Sequence, residues 1–171
     1  LLNIPYIEAP EGFEGEHIAA YLSENNLVDG VYSGDTDPIP FGAKVLYRKN
    51  PRDKKIYEYK QEDILNHINN SNSEIDNASI EEIRKACAIL GSDFSKRTKG
   101  VGPKTVIKKM HSIELTQDQK NAIVEFSKQP NSKSIVVNHK EKEPFYDCEI
   151  DNLLDWLVNE KSFTRKRVQN W

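Results

Sequence analysis

Methionine occurs once in the 171 residues, at Met110, and cysteine twice, at Cys87 and Cys148. Two isolated cysteines cannot staple a domain, so reduced thiols and a reducing compartment, nucleus or cytoplasm, are expected, the chain not being secreted. No apolar run approaches the roughly 20 residues of a membrane helix, and no basic-then-apolar leader is present, so no membrane partner is expected. The four histidines (His17, His67, His111, His139) lie far apart with no paired cysteines, which speaks against a zinc site. The chain opens on Leu1 rather than methionine and is read as a piece of a longer protein whose upstream part is absent.

The most telling scarcity is one of charge. Lysine and arginine are absent from Leu1 to Ala43, which holds Glu8, Glu11, Glu14, Glu16, Glu24, Asp29, Asp35 and Asp37. All 24 basic residues follow. Between Phe94 and Met110 the balance inverts, with Lys96, Arg97, Lys99, Lys104, Lys108 and Lys109 and no acid. An acidic pocket beside a basic surface suits a metal site next to a polyanion. A solvated charge run explains the basic stretch equally well when it is taken alone.

Periodicity alternates strand and helix at first. Asn3 to Ile7 and Leu27 to Tyr32 read as strands around a helix, Glu14 to Leu22, in which Ile18, Tyr21 and Leu22 recur at helical spacing. Lys44 to Arg48 and Lys55 to Tyr59 are further strands, separated by the turn Asn50-Pro51-Arg52-Asp53. The class is α/β. Beyond Tyr59 the pattern is helical: Glu62 to Ile68, then a polar loop from Asn69 to Asn77 with too little apolar content to pack. A helix capped by Ser79-Ile80-Glu81-Glu82 follows, with Ile80, Ile83, Cys87 and Leu90 on one face, and it stops at Gly91. Thr116-Gln117-Asp118-Gln119 caps another to about Lys128, and Ile150 to Val158 and Phe163 to Val168 are helical candidates near the end. Two regions result, an α/β part at 1–60 and a helical part at 61–171.

Five carboxylates carry the chemical interest: Glu14 and Glu16 at the first helix start, Asp35 and Asp37 at a strand end, and Asp93 beyond the capped helix. If the two strands are parallel neighbours, their carboxyl ends share the edge where open α/β sheets hold their sites. Glutamates also suit a helix N-terminus, and aspartates suit turns, so either pair alone has an ordinary explanation. Acids at both strand ends without counter-charge favour a hard divalent cation. Residues two apart on a helix diverge by about 200°, so Glu14 and Glu16 could not serve one ion from one helical face.

Lys99-Gly100-Val101-Gly102-Pro103-Lys104-Thr105 separates two helical stretches. The glycines allow a left-handed turn, Pro103 suits a first helical position, and free amides at that helix start would seat a phosphate. Lys104 in the first turn opposes the helix dipole, which suggests a phosphate partner. Lys108 lies one turn further on.

Together these stretches resemble the flap endonucleases and XPG-type structure-specific 5′ nucleases. The likeness rests on Ile4-Pro5-Tyr6-Ile7-Glu8-Ala9-Pro10, Glu14-x-Glu16, Asp35-x-Asp37 with Phe41-Gly42, Leu90-Gly91-Ser92-Asp93-Phe94, Gly100-Val101-Gly102-Pro103-Lys104 and Lys161-Ser162-Phe163-Thr164-x-x-Arg167-Val168. The resemblance implies a partial PIN-like (Rossmann-like) parallel sheet followed by an all-helical region, with a helix-hairpin-helix near residues 79–110. It implies one Mg²⁺ at Glu14 and Glu16 and a second at Asp35, Asp37 and Asp93, with Mn²⁺ able to substitute. It further implies a hairpin (Lys99, Gly100, Val101, Gly102, Lys104, Thr105, Lys108) that grips duplex DNA bearing a 5′ flap or junction, with K⁺ held by hairpin carbonyls. The expected roles are in replication and repair.

Two departures stand out. Glu11-Gly12-Phe13 adds two residues before Glu14, and Gly15-Glu16-His17 resembles the 5′→3′ exoribonucleases. The family's N-terminal half, with two further aspartates, a helical arch and basic residues, has no counterpart here, nor does a PCNA-binding tail follow Trp171. The isolated chain is therefore expected to be weakly active or inactive. An exoribonuclease and a non-catalytic junction-binding module are the alternatives.

Overall fold

A computed structural model describes residues 6–72, 74–75, 77–138 and 154–168. Its contacts form two units, 9–134 and 1–8 with 135–171. In the first, α1 (Gly15–Glu24) leads to β1 (Val31–Tyr32), α2 (Pro38–Phe41), β2 (Val45–Lys49) and β3 (Ile56–Lys60). Four helices follow: α3 (Gln61–Ser71), α4 (Ile80–Leu90), α5 (Pro103–Lys109) and α6 (Gln117–Ser127), then a 3₁₀ turn at Ser132–Ser134. The fold is α/β, with a mixed sheet. β1 pairs with β2 in parallel (Val31 opposite Leu46), while β2 and β3 form an antiparallel hairpin (Val45 opposite Lys60).

Strand β1 is shorter than its apolar run promised. Leu27 and Val28 are exposed, and Asn26 takes a positive φ of 57° to turn the chain after α1, so only Val31 and Tyr32 reach the ladder. The strand expected at Asn3 to Ile7 lies largely outside the described residues. Tyr6 makes a single antiparallel bridge to Asn138 within the smaller unit. That unit also holds a π-helix, Trp156–Glu160, with the Lys161 ammonium 5.0 Å from the Trp156 ring, and α7 (Arg165–Val168). The start of the helix expected at Ile150 is not among the described residues.

Both capping boxes form. Ser79 Oγ accepts from the Glu81 amide at 3.2 Å while Glu82 Oε2 accepts from the Ser79 amide at 2.8 Å, an arrangement worth about 1 kcal/mol. The expected stripe of α4 packs on the core and is wider than the spacing alone showed: Ile83 is joined in full burial by Ala88 and Ile89, and Ile83, Cys87 and Leu90 line an apolar cleft of about 250 Å³. Arg84 is buried as well, because its Nε donates to the Pro40 carbonyl at 3.0 Å and its guanidinium pairs with Glu81 at 2.5 Å. The loop after α3 packs despite its polar composition. Asn72 Nδ2 donates to the Ile107 carbonyl at 2.8 Å, and Ile75 is buried.

The centre of the larger unit is aromatic. Phe41 on α2 stacks on His17 of α1 with centroids 3.7 Å apart, and meets Phe94 at 6.2 Å and Phe126 of α6 at 5.6 Å. Phe94 and Phe126 close the ring edge to face at 5.6 Å. Such contacts add about 0.5 to 1.5 kcal/mol each beyond burial. Phe41→Ala is expected to cost roughly 3–5 kcal/mol in urea unfolding, and to weaken divalent-ion binding although the substituted side chain bears no ligand atom; calorimetric titration measures the second effect.

Candidate metal centre and nucleic-acid interface

The aromatic cluster positions the acids. His17 sits between its ring contact and Glu14-Gly15-Glu16, Asp37 lies one helical turn before Phe41, and Asp93 directly precedes Phe94. β1 runs straight into Ser33 to Asp37, so the aspartates occupy the carboxyl end of a parallel strand. Glu14 is the N-cap of α1, with extended backbone (φ −90°, ψ 160°), and Glu16 is inside the first turn. The helical divergence anticipated for this pair therefore does not apply, because Glu14 is not on the helix.

Asp37 reports the convergence. Its carboxyl is pushed up to about 6, first by burial and then by the charges of Glu16, Asp93, Asp35 and Glu14. The other four expected acids thus lie near enough to Asp37 for their charges to be felt there. None of the ion pairs among the described residues involves any of them. Arg48 comes close but spends its Nε on the Gly34 carbonyl at 2.6 Å, which braces the loop without answering its charge.

Among the described residues no three acidic, imidazole or thiol groups close around a single point. Like charges without a cation between them repel, which opposes such closure. The donors nevertheless fit a hard divalent ion: all are carboxylate oxygens, half-exposed or exposed, and one is raised toward neutral pH by burial and then by its acidic neighbours.

Ser33 was not singled out in the sequence, yet it ties the two halves of the site. Its hydroxyl donates to Glu16 Oε1 and accepts from the Asp35 amide at 3.0 Å. A serine two residues before an aspartate in a turn was the available signal. His17 is a packing residue. Its Nδ1 accepts from the Glu14 amide at 3.3 Å, and its Nε2 is buried without a hydrogen-bond partner, the Glu125 carbonyl approaching the ring outside bonding geometry. Burial holds the imidazole below its ordinary value, against the upward pull of Glu14 and Glu125. Burial likewise pushes the Cys87 thiol up to about 11.

On the other flank, Gly91 ends α4, and a compact loop leads to the hairpin before α5. Gly100 adopts φ +78°, whereas Gly102 is the extended N-cap of α5, so only one of the two glycines uses the left-handed region. Pro103 stands at the first helical position. The amide row is narrower than expected: Pro103 has no N–H, and those of Thr105 and Val106 both bond to the Gly102 carbonyl at 2.9 Å. Exposed cations remain the main groups available to a phosphate. Lys96, Lys99, Lys104, Lys108 and Lys109 face solvent, while the equally exposed Arg97 turns its guanidinium to the Val101 carbonyl. Gln119 secures the loop from α6, its Nε2 donating to the Lys96 carbonyl (3.1 Å) and to Thr98 Oγ1 (2.9 Å).

An α/β layer thus carries carboxylates at a strand's carboxyl end and is joined to a basic hairpin between helices. Residues 3–93 match the family model of the XPG I-region, and the chain belongs to this family, that of the flap endonucleases and XPG-type nucleases. It is similar to flap endonuclease 1 of Theileria parva (30% identical, 100% of this chain and 34% of that protein). It is similar also to flap endonuclease 1 of Methanobrevibacter smithii (31%, 98% of this chain and 51% of that protein). Flap endonuclease-1 from Methanococcus jannaschii shares the fold with a TM-score of 0.73 at 22% identity, over 99% of this chain and 52% of that one. Human GEN1, solved with Holliday junction DNA, shares it at 0.60 and 18% identity, over 98% and 47%. The chain spans between about a third and half the length of these relatives.

Because the folded state raises the Asp37 pKa above its unfolded value, the contribution of Asp37 to stability falls as pH rises from about 4 to about 6 and is constant above that. Asp37→Asn is expected to raise metal-free stability at pH 7.5 by about 1 kcal/mol after allowance for solvent screening, a Tm increase of roughly 2–4 °C. Below pH 4, where both forms are neutral, the difference should vanish. Mn²⁺ affinity of the parent should drop as pH falls through 6, which isothermal titration across pH 5–8 would show.

Proposed function

We propose that this chain is the C-terminal portion of a Mg²⁺-dependent structure-specific 5′ nuclease that hydrolyses DNA phosphodiesters at flaps or junctions. The observation that carries this reading is Asp37, half-buried in the field of four further carboxylates with no ion pair among the described residues to offset them. Glu14 and Glu16 would hold one ion and Asp35, Asp37 and Asp93 the other, Mn²⁺ serving in place of Mg²⁺. When bound, a two-ion site supplies an acidified water and charge neutralisation at the attacking and leaving oxygens.

The protein's own groups do the positioning. Ser33 orients the Glu16 carboxylate and fixes the Asp35 backbone, so the two ligand sets keep a constant offset. Phe41 and Phe94 hold Asp37 and Asp93 on the same structural unit. The exposed lysines of the hairpin, Lys99, Lys104 and Lys108, with Gly100, Val101, Gly102 and Thr105 forming the turn, would grip the backbone of a duplex arm without reading its bases. Relatives solved with DNA, the Rad2 catalytic core with a DNA substrate and GEN1 with a Holliday junction, support DNA as the partner.

The exoribonuclease reading weakens, because the His17 that suggested it is a buried ring in the aromatic cluster. The short span relative to the family supports a division of the site, with further ligands and strand-guiding residues supplied from outside these 171 residues.

Two measurements test the reading. Duplex affinity should be indifferent to base sequence and decline with salt, each phosphate contact adding roughly −0.9 to the slope of log K against log salt, and Lys104→Ala should flatten that slope by about one contact. In Mg²⁺ the chain alone should leave flap substrates essentially uncut, and incision near the junction should return when the N-terminal half of a flap endonuclease is joined to it or supplied in trans. Rapid cleavage of single-stranded RNA, or failure of the joined protein to cut flaps, would reject the assignment.

A further inference from the structure

The hairpin carries its own cation. Arg97, four residues before the turn, folds back so that Nε and Nη2 both donate to the Val101 carbonyl, at 3.1 and 2.9 Å. The fork approaches the turn closely: a Cβ on Gly102 would meet Nη2 at 4.0 Å. Its backbone is pinned from behind. Gly91 (φ +94°) lets α4 end directly against Arg97, since a Cβ there would lie 3.0 Å from the Arg97 Cβ and amide nitrogen. Thr98 N–H then bonds to the Ile89 carbonyl at 2.9 Å.

The neighbouring carbonyls are also engaged. Lys96 accepts from Gln119, Thr98 accepts from the Val101 amide at 3.3 Å, and Gly102 accepts from Thr105 and Val106. The Lys96 and Thr98 oxygens, with one donor each, keep a free lone pair, but the Val101 oxygen already takes two donors from Arg97, so a monovalent cation bound there would have to displace the guanidinium and would meet its positive charge. The K⁺ that the family resemblance implies therefore does not fit the residues present.

We propose that the Arg97 guanidinium closes this hairpin in place of a bound K⁺, so that the hairpin is preorganised whichever monovalent cation is in solution. Arg97 is then a positioning residue: its charge is directed at the turn, and the surrounding lysines face the phosphates. The consequence for duplex binding rests on the function proposed above, whereas the closure itself does not.

The test uses two readouts. Amide signals of residues 97–106 are followed by NMR in DNA-free protein as NaCl is exchanged for KCl at constant ionic strength, and duplex affinity is measured in both salts. For the parent chain, hairpin amides should not shift selectively with K⁺, and duplex affinity should agree within twofold between salts. Arg97→Ala, which removes an exposed side chain and spares the core, should raise hydrogen exchange at Val101 to Val106 and weaken duplex binding about tenfold. Arg97→Lys, which retains charge but not the fork, should fall between the two. K⁺-selective shifts in the parent hairpin, or Arg97→Ala exchange rates equal to the parent's, would overturn the closure. Unshifted parent amides and faster exchange in Arg97→Ala, together with no duplex binding in either salt, would support the closure and reject the duplex-binding assignment instead.

Discussion

Packing of Phe41 against His17, Phe94 and Phe126 is the interaction on which the site depends. Carboxylates do not gather unaided: each added charge raises the free energy of the others, and Asp37, carried up to about 6 first by burial and then by its acidic neighbours, registers both costs. The compensating energy is apolar and lies on the opposite side of the same short segments. His17, Phe41 and Phe94 are each within four residues of an acid they help position, and Phe126 packs on Phe41 and Phe94 from α6. The acids therefore stand near one another without forming a closed cage among the described residues.

The basic flank is organised by a different device. Lys99, Lys104 and Lys108 owe their placement to a loop whose carbonyls are satisfied from within the fold, by Gln119 from α6 and by Arg97 across the turn. Both contacts use planar side chains with several donors, which fix an angle as well as a distance. Asp93 precedes this loop by a few residues, so the acid site and the cationic surface share a single connection between α4 and α5. In a nuclease that connection would set how far the bound duplex arm lies from the metal ions.

Much of this was readable in the sequence where the determinants are local. Ser79 and Glu82, Thr116 and Gln119, Pro103 after Gly102, and the turn at Asn50 to Asp53 each depend on residues within a few positions of one another, and each formed as the pattern required. The α/β class followed from the same kind of signal, and the family resemblance from motifs whose order along the chain survives low overall identity. Less legible were the extents of elements. β1 stops short because the chain must first turn out of α1 at Asn26, and Arg84 is buried because Pro40, on another element, offers it a carbonyl.

By itself, then, the sequence determined which residues carry charge, where helices begin and end, and that Glu14, Glu16, Asp35, Asp37 and Asp93 are the acids to consider. Only the tertiary structure decided that Asp37 feels the charges of the other four, that Ser33 links Glu16 to Asp35, that His17 is buried against Phe41, and that Arg97 takes up the Val101 carbonyl. The physical reason is range. Capping, turn chemistry and periodicity act over three or four residues and leave a trace in composition, whereas fields between carboxylates, ring contacts and shared carbonyls act through space between segments far apart in the chain, and no local pattern records them.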